Sequence, residues 1–374
     1  FSTTIATGAY EVHKDEQSRK LERLRRHLED GTTDLSPHSL KVPASHYTSE
    51  AQNALEIELM FKQRPLLVAL TPHIPNQGDY LTHEAIDISL LLVRDRDDKA
   101  RAYINACRHR GARLVEGKGH KASFSCPFHA WNWGLDGKII ARPNSHEGFA
   151  AADDCFDRLV ELPCYEIAGL IFVLLEGEDI ELKVHALMGA SLLDIENYNI
   201  SETKHIDSRT TELACNYKFF LDGFAETYHI ASLHKETISP FYYSNSTLVD
   251  QLGEVVHLVS PRKTIDKEFE KTQSEQGAVL PYCTTEYLLA PNVLLTHQVD
   301  HIQFWTAYPV DGANRCRIEL NVFWPNPMDD EAERKAKLNV DLVWQVTTEE
   351  DFPQSVAIHR NLISGALPHL IFGQ

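Results

Sequence analysis

Cys107-Arg108-His109-Arg110-Gly111 and Cys126-Pro127-Phe128-His129 are the stretches that decide the fold of the first half of this chain. Each stretch supplies one cysteine and one histidine, and sixteen residues separate His109 from Cys126. Glycine and proline in both stretches, and Gly134-Leu135-Asp136-Gly137 beyond them, favour tight loops between β-strands. We therefore expect the four side chains to bind one metal centre.

The order of these ligands indicates the kind of centre. In a Rieske [2Fe–2S] cluster two thiolates hold one iron and two imidazoles hold the other, and the neutral imidazoles raise the reduction potential. Zinc is the main alternative, but zinc sites usually group cysteines as Cys-x(2–4)-Cys and histidines as His-x(3–5)-His. The sequence therefore predicts an electron-transfer centre at Cys107, His109, Cys126 and His129.

Length and composition favour a globular protein with two domains. The chain has 374 residues, 43% of them hydrophobic, against about 150 residues for an average domain. A formal net charge of −18 argues against nucleic-acid binding, because phosphates attract basic surfaces. No apolar run reaches the ~20 residues that span a bilayer, and Glu11, Asp15 and Glu16 occur where a signal peptide would be apolar. We expect a cytoplasmic protein that binds neither nucleic acid nor a membrane.

Cysteine usage agrees with a reducing compartment. The chain has seven cysteines, and those outside the two loops have no regular spacing. We expect Cys155, Cys164, Cys215, Cys283 and Cys316 to be buried free thiols.

Hydrophobic periodicity divides the chain into three parts. Leu21, Leu24 and Leu28 predict an amphipathic helix over residues 11–29. Short β-type runs between residues 66 and 172 predict a compact β domain, and mixed patterns after residue 177 favour an antiparallel sheet covered by helices. The predicted domains are 1–60, a helical segment that packs on the catalytic domain, 61–176, the cluster domain, and 177–374, the catalytic domain. Predicted strands are 89–93, 102–105, 138–140, 169–175, 210–215, 293–296, 304–309 and 316–324, and predicted helices are 182–196, about 219–229 and one from about residue 329.

A second metal site is predicted in the mixed domain. His229 and His234 are five residues apart at the end of a helical pattern, so the helix must end or distort between them for both to reach one ion. Glu349, Glu350 and Asp351 offer carboxylates at the middle of a later helix. Two histidines and one carboxylate form a facial triad that leaves open positions on Fe(II). Glu226 and Asp222 are expected on the helix face that carries His229.

Taken together, these features resemble the catalytic α subunits of Rieske non-haem iron oxygenases, which include ring-hydroxylating dioxygenases and related monooxygenases and demethylases. The resemblance rests on the two loops, the stretch from Asn216 to His234, Ala290-Pro291-Asn292 and Glu350-Asp351. It implies an α+β chain, with an all-β Rieske domain carrying two cluster-binding loops and a catalytic domain of antiparallel sheet covered by helices, of the helix-grip type.

The resemblance also assigns residues. It implies that Cys107, His109, Cys126 and His129 bind the cluster and that His229, His234 and Asp351 bind mononuclear iron. Glu226 would be the bridging carboxylate, which bonds a cluster histidine, here His129, across the interface of a homotrimer. The chain departs from the usual pattern at Ala130, where glycine is common, at Tyr217, where tryptophan is common, and at Glu226, where many relatives have aspartate.

The implied function is that of a terminal oxygenase. A separate flavin-dependent reductase, with or without a ferredoxin, would deliver electrons from NAD(P)H, since no Gly-x-Gly-x-x-Gly run follows a strand here. With O2 the enzyme would hydroxylate, dihydroxylate or demethylate a small organic substrate. We expect an aromatic or hydrophobic substrate, as in aromatic hydrocarbon catabolism, with a quaternary-ammonium substrate as the alternative. Whether the enzyme also has a β subunit remains open.

Two other classes of protein and one structural question stay open. A Rieske electron carrier without oxygenase activity would hold two irons rather than three, and a zinc-stabilised ligand-binding protein would be colourless. Aromatic residues such as Phe224, Phe241, Tyr242, Tyr243 and Trp305 can line a substrate cavity, form a cation cage or belong to the core.

Overall fold

The structure is a computed structural model that describes residues 2–144, 149, 156–271 and 279–374, with side chains from residue 16 onward. The chain divides into two compact units. One, here called the β unit, contains residues 56–187 and 199–202, and the other, called the sheet-and-helix unit, contains residues 1–55, 188–198 and 203–374. The domain boundaries expected at 60/61 and 176/177 remain a prediction of the sequence.

The β unit is built from eleven short strands in the described residues. They are β2 (Leu66–Leu70), β3 (Asp79–Ala85), β4 (Ile88–Arg94), β5 (Ala100–Ile104), β6 (Lys118–His120), β7 (Phe124–Ser125), β8 (Asn132–Trp133), β9 (Ile139–Ala141), β10 (Glu161–Leu162), β11 (Cys164–Ile167) and β12 (Leu170–Val173). They form antiparallel sheets of order β10-β5-β4-β3-β6, β11-β12-β2 and β7-β8-β9. Branched and aromatic side chains favour these strands, and Leu91, Tyr103, Phe124 and Trp133 form the core beneath the two Cys/His loops.

The sheet-and-helix unit is organised around one seven-stranded antiparallel sheet of order β13-β19-β18-β17-β16-β15-β14. Its strands are β13 (Thr203–Leu213), β14 (Leu248–Leu252), β15 (Val255–Pro261), β16 (Cys283–Leu289), β17 (Val293–Gln298), β18 (His301–Pro309) and β19 (Cys316–Pro325). All of β18 is buried, because both sheet faces are covered there, whereas the edge strand β13 alternates between exposed and half-buried residues. A separate pair joins β1 (Leu40–Pro43) to β20 (His369–Phe372).

The helices within the described residues are α1 (Ser2–Asp30), α2 (Ser45–Thr48), α3 (Glu50–Glu56), α4 (Ile180–Met188), α5 (Ser191–Glu196), α6 (Lys218–Phe224), α7 (Asp266–Phe269), α8 (Asp330–Val346) and α9 (Phe352–Ile363), with π-helical segments at Ile57–Lys62 and Thr347–Asp351. Leu21 and Leu24 of α1 pack against Leu248 and Val259 of the large sheet. No helix within the described ranges has both the length and the apolar character that crossing a membrane requires.

The predicted sheet and most strands are confirmed, but the helical pattern needs corrections. The segment predicted as one helix over 182–196 is two helices, because Gly189, with a positive φ of +50°, separates α4 from α5. The helix predicted to run from about 219 to His229 ends at Phe224. Among the predicted buried thiols, Cys215, Cys283 and Cys316 are buried, Cys164 is half-buried and Cys155 lies outside the described residues.

Candidate metal centres

The two Cys/His loops of the β unit share one backbone conformation. In the first, Cys107 N donates to the carbonyl of Ala112 at 2.8 Å and Gly111 N donates to the Cys107 carbonyl at 2.8 Å. In the second, Cys126 N donates to the Trp131 carbonyl at 2.8 Å and Ala130 N donates to the Cys126 carbonyl at 3.0 Å. Each loop therefore closes on its own cysteine and holds its histidine two or three residues beyond.

The fourth residue after each cysteine has a left-handed backbone. Gly111 has a φ of +76° and Ala130 has a φ of +56°. A Cβ disfavours this conformation, which explains in physical terms why glycine is usual at the position of Ala130. Alanine adopts it here within the closed loop, so the substitution leaves the loop geometry intact.

The loops bring their cysteines and histidines together in two pairs. Cys107 and Cys126 are both buried, and burial, followed by contact with the Cys126 side chain, raises the pKa of the Cys107 thiol. The rings of His109 and His129 lie 4.6 Å apart between centroids. His109 also stacks on Trp131 at 4.8 Å, whereas His129 is exposed.

These pairs fit a cluster with two thiolate and two imidazole ligands. The Nδ1 atom of His109 is buried and has no hydrogen-bond partner among the described residues, which is costly for a polar atom unless a metal or other group binds it. Burial and the neighbouring His129 lower the pKa of His109, and the neutral imidazole is the form that binds metal. One thiol pair and one imidazole pair match the one-pair-per-iron arrangement of a Rieske cluster.

The second site begins where α6 ends. Ala225 N donates to the Leu221 carbonyl at 2.9 Å and closes the last helical turn. Glu226 and Thr227 follow without assigned secondary structure, and a new run of turns then starts, in which Leu233 N donates to the His229 carbonyl at 2.8 Å. Both histidines therefore lie in turns after the helix, and this irregular backbone lets two residues five apart reach one point.

Asp351 enters the same site from a distorted helix. Thr347–Asp351 is a π-helical segment between α8 and α9, and not the regular helix that the sequence favoured. A π-helical segment inserts an extra residue into the helix and redirects the side chains around it, and such segments are frequent at functional sites. Glu349 is exposed, while Glu350 and Asp351 face the histidines.

The three donors His229, His234 and Asp351 lie together. Their ligand atoms are all within 4.8 Å of one another, and this is the only such group of His, Cys, Asp and Glu within the described part of the chain. Oδ1 of Asp351 is 3.1 Å from Nε2 of His234 and 3.7 Å from Nε2 of His229. The two imidazole rings are 5.0 Å apart and inclined by 70°. Two imidazoles and one carboxylate whose ligand atoms lie this close together fit a 2-His-1-carboxylate iron site.

Each of these histidines is oriented through its other ring nitrogen. Nδ1 of His229 is 2.8 Å from Oε1 of Glu226, and Nδ1 of His234 is 2.6 Å from Oε2 of Glu350. Burial lowers the pKa of His234, but its bonds to Asp351 and Glu350 outweigh burial and raise it. Carboxylate–histidine pairs of this kind fix the ring orientation of metal ligands, leaving each Nε2 directed at the common point.

Asp222 is not one of the three donors of this site. Asp222 accepts a hydrogen bond from the Tyr47 hydroxyl at 2.7 Å, and burial raises the pKa of its carboxyl to about 6. The expectation that Asp222 and Glu226 share a helix face with His229 was wrong, because α6 ends before Glu226. Sequence reasoning offered Glu350 only as one of three carboxylates and missed its role as the partner of His234 Nδ1, although its place beside the predicted ligand Asp351 was a usable signal.

The family comparisons agree with both sites. The family described as "Rieske [2Fe-2S] domain" matches residues 65–166, which contain the two Cys/His loops. The family described as "Ring hydroxylating alpha subunit (catalytic domain)" matches residues 196–374, which contain His229, His234 and Asp351. The cofactors that these families imply are a Rieske [2Fe–2S] cluster and a mononuclear iron.

Individual relatives point to the same group. The chain is 32% identical to the carnitine monooxygenase oxygenase subunit of Escherichia coli (strain K12), over 58% of this chain and 56% of the relative. It is 29% identical to putrescine 2-hydroxylase of Ralstonia nicotianae, over 54% of this chain and 51% of the relative. The chain thus spans about half the length of the curated relatives it matches.

A solved structure shows the same fold. The quaternary ammonium Rieske monooxygenase CntA in complex with L-carnitine superposes with a TM-score of 0.75 at 19% identity, covering 89% of this chain and 88% of that one. At this identity the likeness concerns the fold alone. Because the two family descriptions match in sequence order over the residues that form the paired loops and the His229/His234/Asp351 group, the chain belongs to the family of Rieske oxygenase α subunits.

Proposed function

We propose that this chain is the terminal oxygenase of a multicomponent Rieske monooxygenase that oxidises a small organic substrate with a cationic nitrogen. The relatives named for carnitine and putrescine support this substrate class, since both compounds carry such a nitrogen. The expected aromatic or hydrophobic substrate becomes the second arm of the substrate test.

The observation that carries the proposal is the group of His229, His234 and Asp351. Its ligand atoms lie close together, and both histidines are held by carboxylates that leave Nε2 free to bind metal. A purely structural site would instead close all positions with protein ligands. An incomplete ligand set is what a reaction with O2 and substrate requires.

In this proposal each residue has a stated task. Cys107, His109, Cys126 and His129 hold the [2Fe–2S] cluster, and the group of three donors holds iron. When bound, the cluster supplies single electrons and the mononuclear iron supplies open positions for O2. Glu350 keeps the ring of His234 oriented, so that its Nε2 stays beside Asp351.

Glu226 is proposed to bridge the two centres between neighbouring copies in a homotrimer. One oxygen is 2.8 Å from Nδ1 of His229, and the other accepts from Tyr228 N at 2.8 Å. The Glu226 side chain is still 48% exposed, and His129 is exposed as well. A second copy can therefore bring its His129 to this carboxylate, and glutamate is long enough to bond both histidines.

The electron supply is part of the proposal. A separate flavin-dependent reductase, alone or with a ferredoxin, would pass electrons from NAD(P)H to the cluster. The cytoplasmic location and the presence or absence of a β subunit are also proposals at this stage.

The test is oxygen uptake coupled to product. The chain is loaded anaerobically with iron and sulfide, combined with a surrogate reductase and NADH, and supplied with carnitine, putrescine or naphthalene. Hydroxylation of one C–H bond consumes one O2, two electrons and two protons and releases one water. We expect uptake and product in equal amounts with a cationic substrate.

The controls separate the alternatives. His234→Ala should retain the visible spectrum of the cluster and lose product formation. O2 uptake coupled to product with naphthalene alone would overturn the proposed cationic substrate class and leave the assignment as an oxygenase intact. If the chain holds two irons and can be reduced without any coupled O2 uptake, it is an electron carrier. A colourless chain that binds zinc would refute both the oxygenase and the electron carrier.

A further inference from the structure

Glu286 lies on a particular face of the seven-stranded sheet. It is opposite Thr296 of β17, and Thr296 is opposite Gln303 of β18, without any register shift. Directly paired residues and residues two apart on a strand share a face, so Trp305 lies on the same face as Glu286. Trp305 N–H donates to Oε1 of Gln303 at 3.1 Å, which agrees with this placement.

This face is covered by the elements that lead to the metal site. The Trp305 ring lies 5.7 Å from Phe220 and from Phe224 of α6, and 6.3 Å from Trp344 of α8. The chain reaches His229 directly after α6, and it reaches Asp351 directly after α8. Glu286 thus belongs to the sheet face that is turned toward the helices of the candidate iron site.

No hydrogen bond or ion pair to Glu286 occurs within the described residues. Its polar neighbours bond one another instead. The Tyr242 hydroxyl is 2.6 Å from Oγ1 of Thr284, and Oε1 of Gln298 accepts from Nη2 of Arg262 at 2.7 Å. The Arg262 guanidinium also lies 5.4 Å from the centre of the Tyr242 ring. A carboxylate left without a counter-charge in such surroundings is costly.

The position nevertheless remains accessible. The Glu286 residue is half-buried, so solvent reaches it, while burial among protein atoms raises the pKa of its carboxyl to about 8. Burial also raises the pKa of Tyr242, and the negative charge of Glu286 contributes to that shift, which places the two groups near each other. A carboxyl that protein atoms largely surround but that solvent still reaches can be approached by a small cation.

We propose that Glu286 binds the cationic nitrogen of the substrate, a small organic ammonium ion, on the sheet face that is turned toward the helices of the candidate iron site. The inference rests on the proposed function, because it names the residue that selects the substrate class. A bound cation supplies the counter-charge that the protein withholds, and an isosteric neutral molecule does not.

The test measures binding and needs no turnover. The iron-loaded chain is titrated calorimetrically with choline, with putrescine and with 3,3-dimethylbutan-1-ol, which replaces the choline nitrogen by carbon. We expect choline or putrescine to bind at least about tenfold tighter than the neutral alcohol. Choline has no N–H group and putrescine has several, so the preferred cation distinguishes a quaternary from a protonated amine.

Two variants test the residue itself. Glu286→Gln should lose the preference for the cation, and it should fold, because glutamine has nearly the shape of a protonated glutamate and cannot ionise. Glu319→Gln is the matched control: Glu319 is on β19 of the same sheet, faces the other side and accepts from Asn321 Nδ2 at 2.9 Å, a bond that glutamine retains. It should keep the full preference.

Proton release gives a readout in the wild-type chain. At pH 7 a carboxyl with a pKa of about 8 is mostly protonated, and a bound cation favours its ionised form. Titrations in two buffers of different ionisation enthalpy should show up to about one proton released per cation, and none with the alcohol or in Glu286→Gln. The neighbouring Tyr242 has a raised pKa and therefore does not supply this proton.

Equal affinity for choline, putrescine and the neutral alcohol would overturn the proposal, as would an unchanged preference in Glu286→Gln. These outcomes are distinct from failure of the proposed function. A chain that couples O2 uptake to product but shows no role for Glu286 is still an oxygenase, with its cation bound elsewhere.

Discussion

The contact between Glu350 and His234 leads to a graded prediction. Oε2 of Glu350 lies 2.6 Å from Nδ1 of His234 and also accepts from the Thr237 hydroxyl at 3.0 Å. A hydrogen bond to a charged group contributes about 1.5–3 kcal/mol, and a neutral bond contributes about 0.5–1.5 kcal/mol. Glu350→Gln keeps an oxygen acceptor and loses the charge, so it should weaken the free energy of Fe(II) binding by about 1 kcal/mol. Glu350→Ala removes the acceptor and should weaken it by about 2.5 kcal/mol.

These energies convert to metal affinity. At about 1.4 kcal/mol per factor of ten, Fe(II) affinity at the His229/His234/Asp351 group should fall about fivefold in Glu350→Gln and about 60-fold in Glu350→Ala. The assay is anaerobic competition with a chelator, with the visible absorbance of the cluster as an internal standard. Glu349→Gln is the control, because Glu349 is exposed and accepts only from Gln345 at 3.0 Å among the bonds described. Wild-type affinity in Glu350→Ala, or an equal loss in Glu349→Gln, would refute the reasoning.

Other predictions follow from single contacts. Asp222 has a pKa of about 6 when folded and 3.8 as its ordinary value, so the folded state holds more protons and stability should fall as pH rises from about 4 to about 6. Asp222→Asn keeps the Tyr47 bond and should be about 2 kcal/mol more stable than wild type at pH 7 in urea unfolding, with the gain vanishing near pH 4. Glu226→Gln should keep normal iron content and block product formation, and fast single-turnover product in this variant would exclude the bridge. Trp305→Ala should cost about 3–5 kcal/mol of unfolding free energy, because Trp305 is fully buried, whereas Phe241→Ala, at a side chain that is 62% exposed, should change it by less than about 0.5 kcal/mol.

The sequence predicted the paired loops well because their information is local. Cys107, His109, Cys126 and His129 lie in two short stretches, and the backbone bonds that shape each loop join residues four or five apart. The alternating and apolar strand patterns likewise predicted the large antiparallel sheet, since strand periodicity is a local property.

The second site was only partly predictable because it depends on backbone irregularities and distant contacts. Three acidic residues in a row, Glu349 to Asp351, have three different roles, and the π-helical segment decides which faces the histidines. The bond between Tyr47 and Asp222 joins residues 175 positions apart, so no periodicity indicates it. Glu286 did carry a signal, as an acidic residue within a strand of buried side chains, but its face follows only from the strand register.

The central claim is that one chain holds two separate iron centres, and metal analysis tests it most directly. Iron per chain and the visible spectrum are measured for the wild type, His234→Ala and His109→Ala after identical anaerobic loading. The account predicts three irons in the wild type, two irons with an unchanged cluster spectrum in His234→Ala, and one iron without that spectrum in His109→Ala. Two irons in the wild type with no loss in His234→Ala would contradict it.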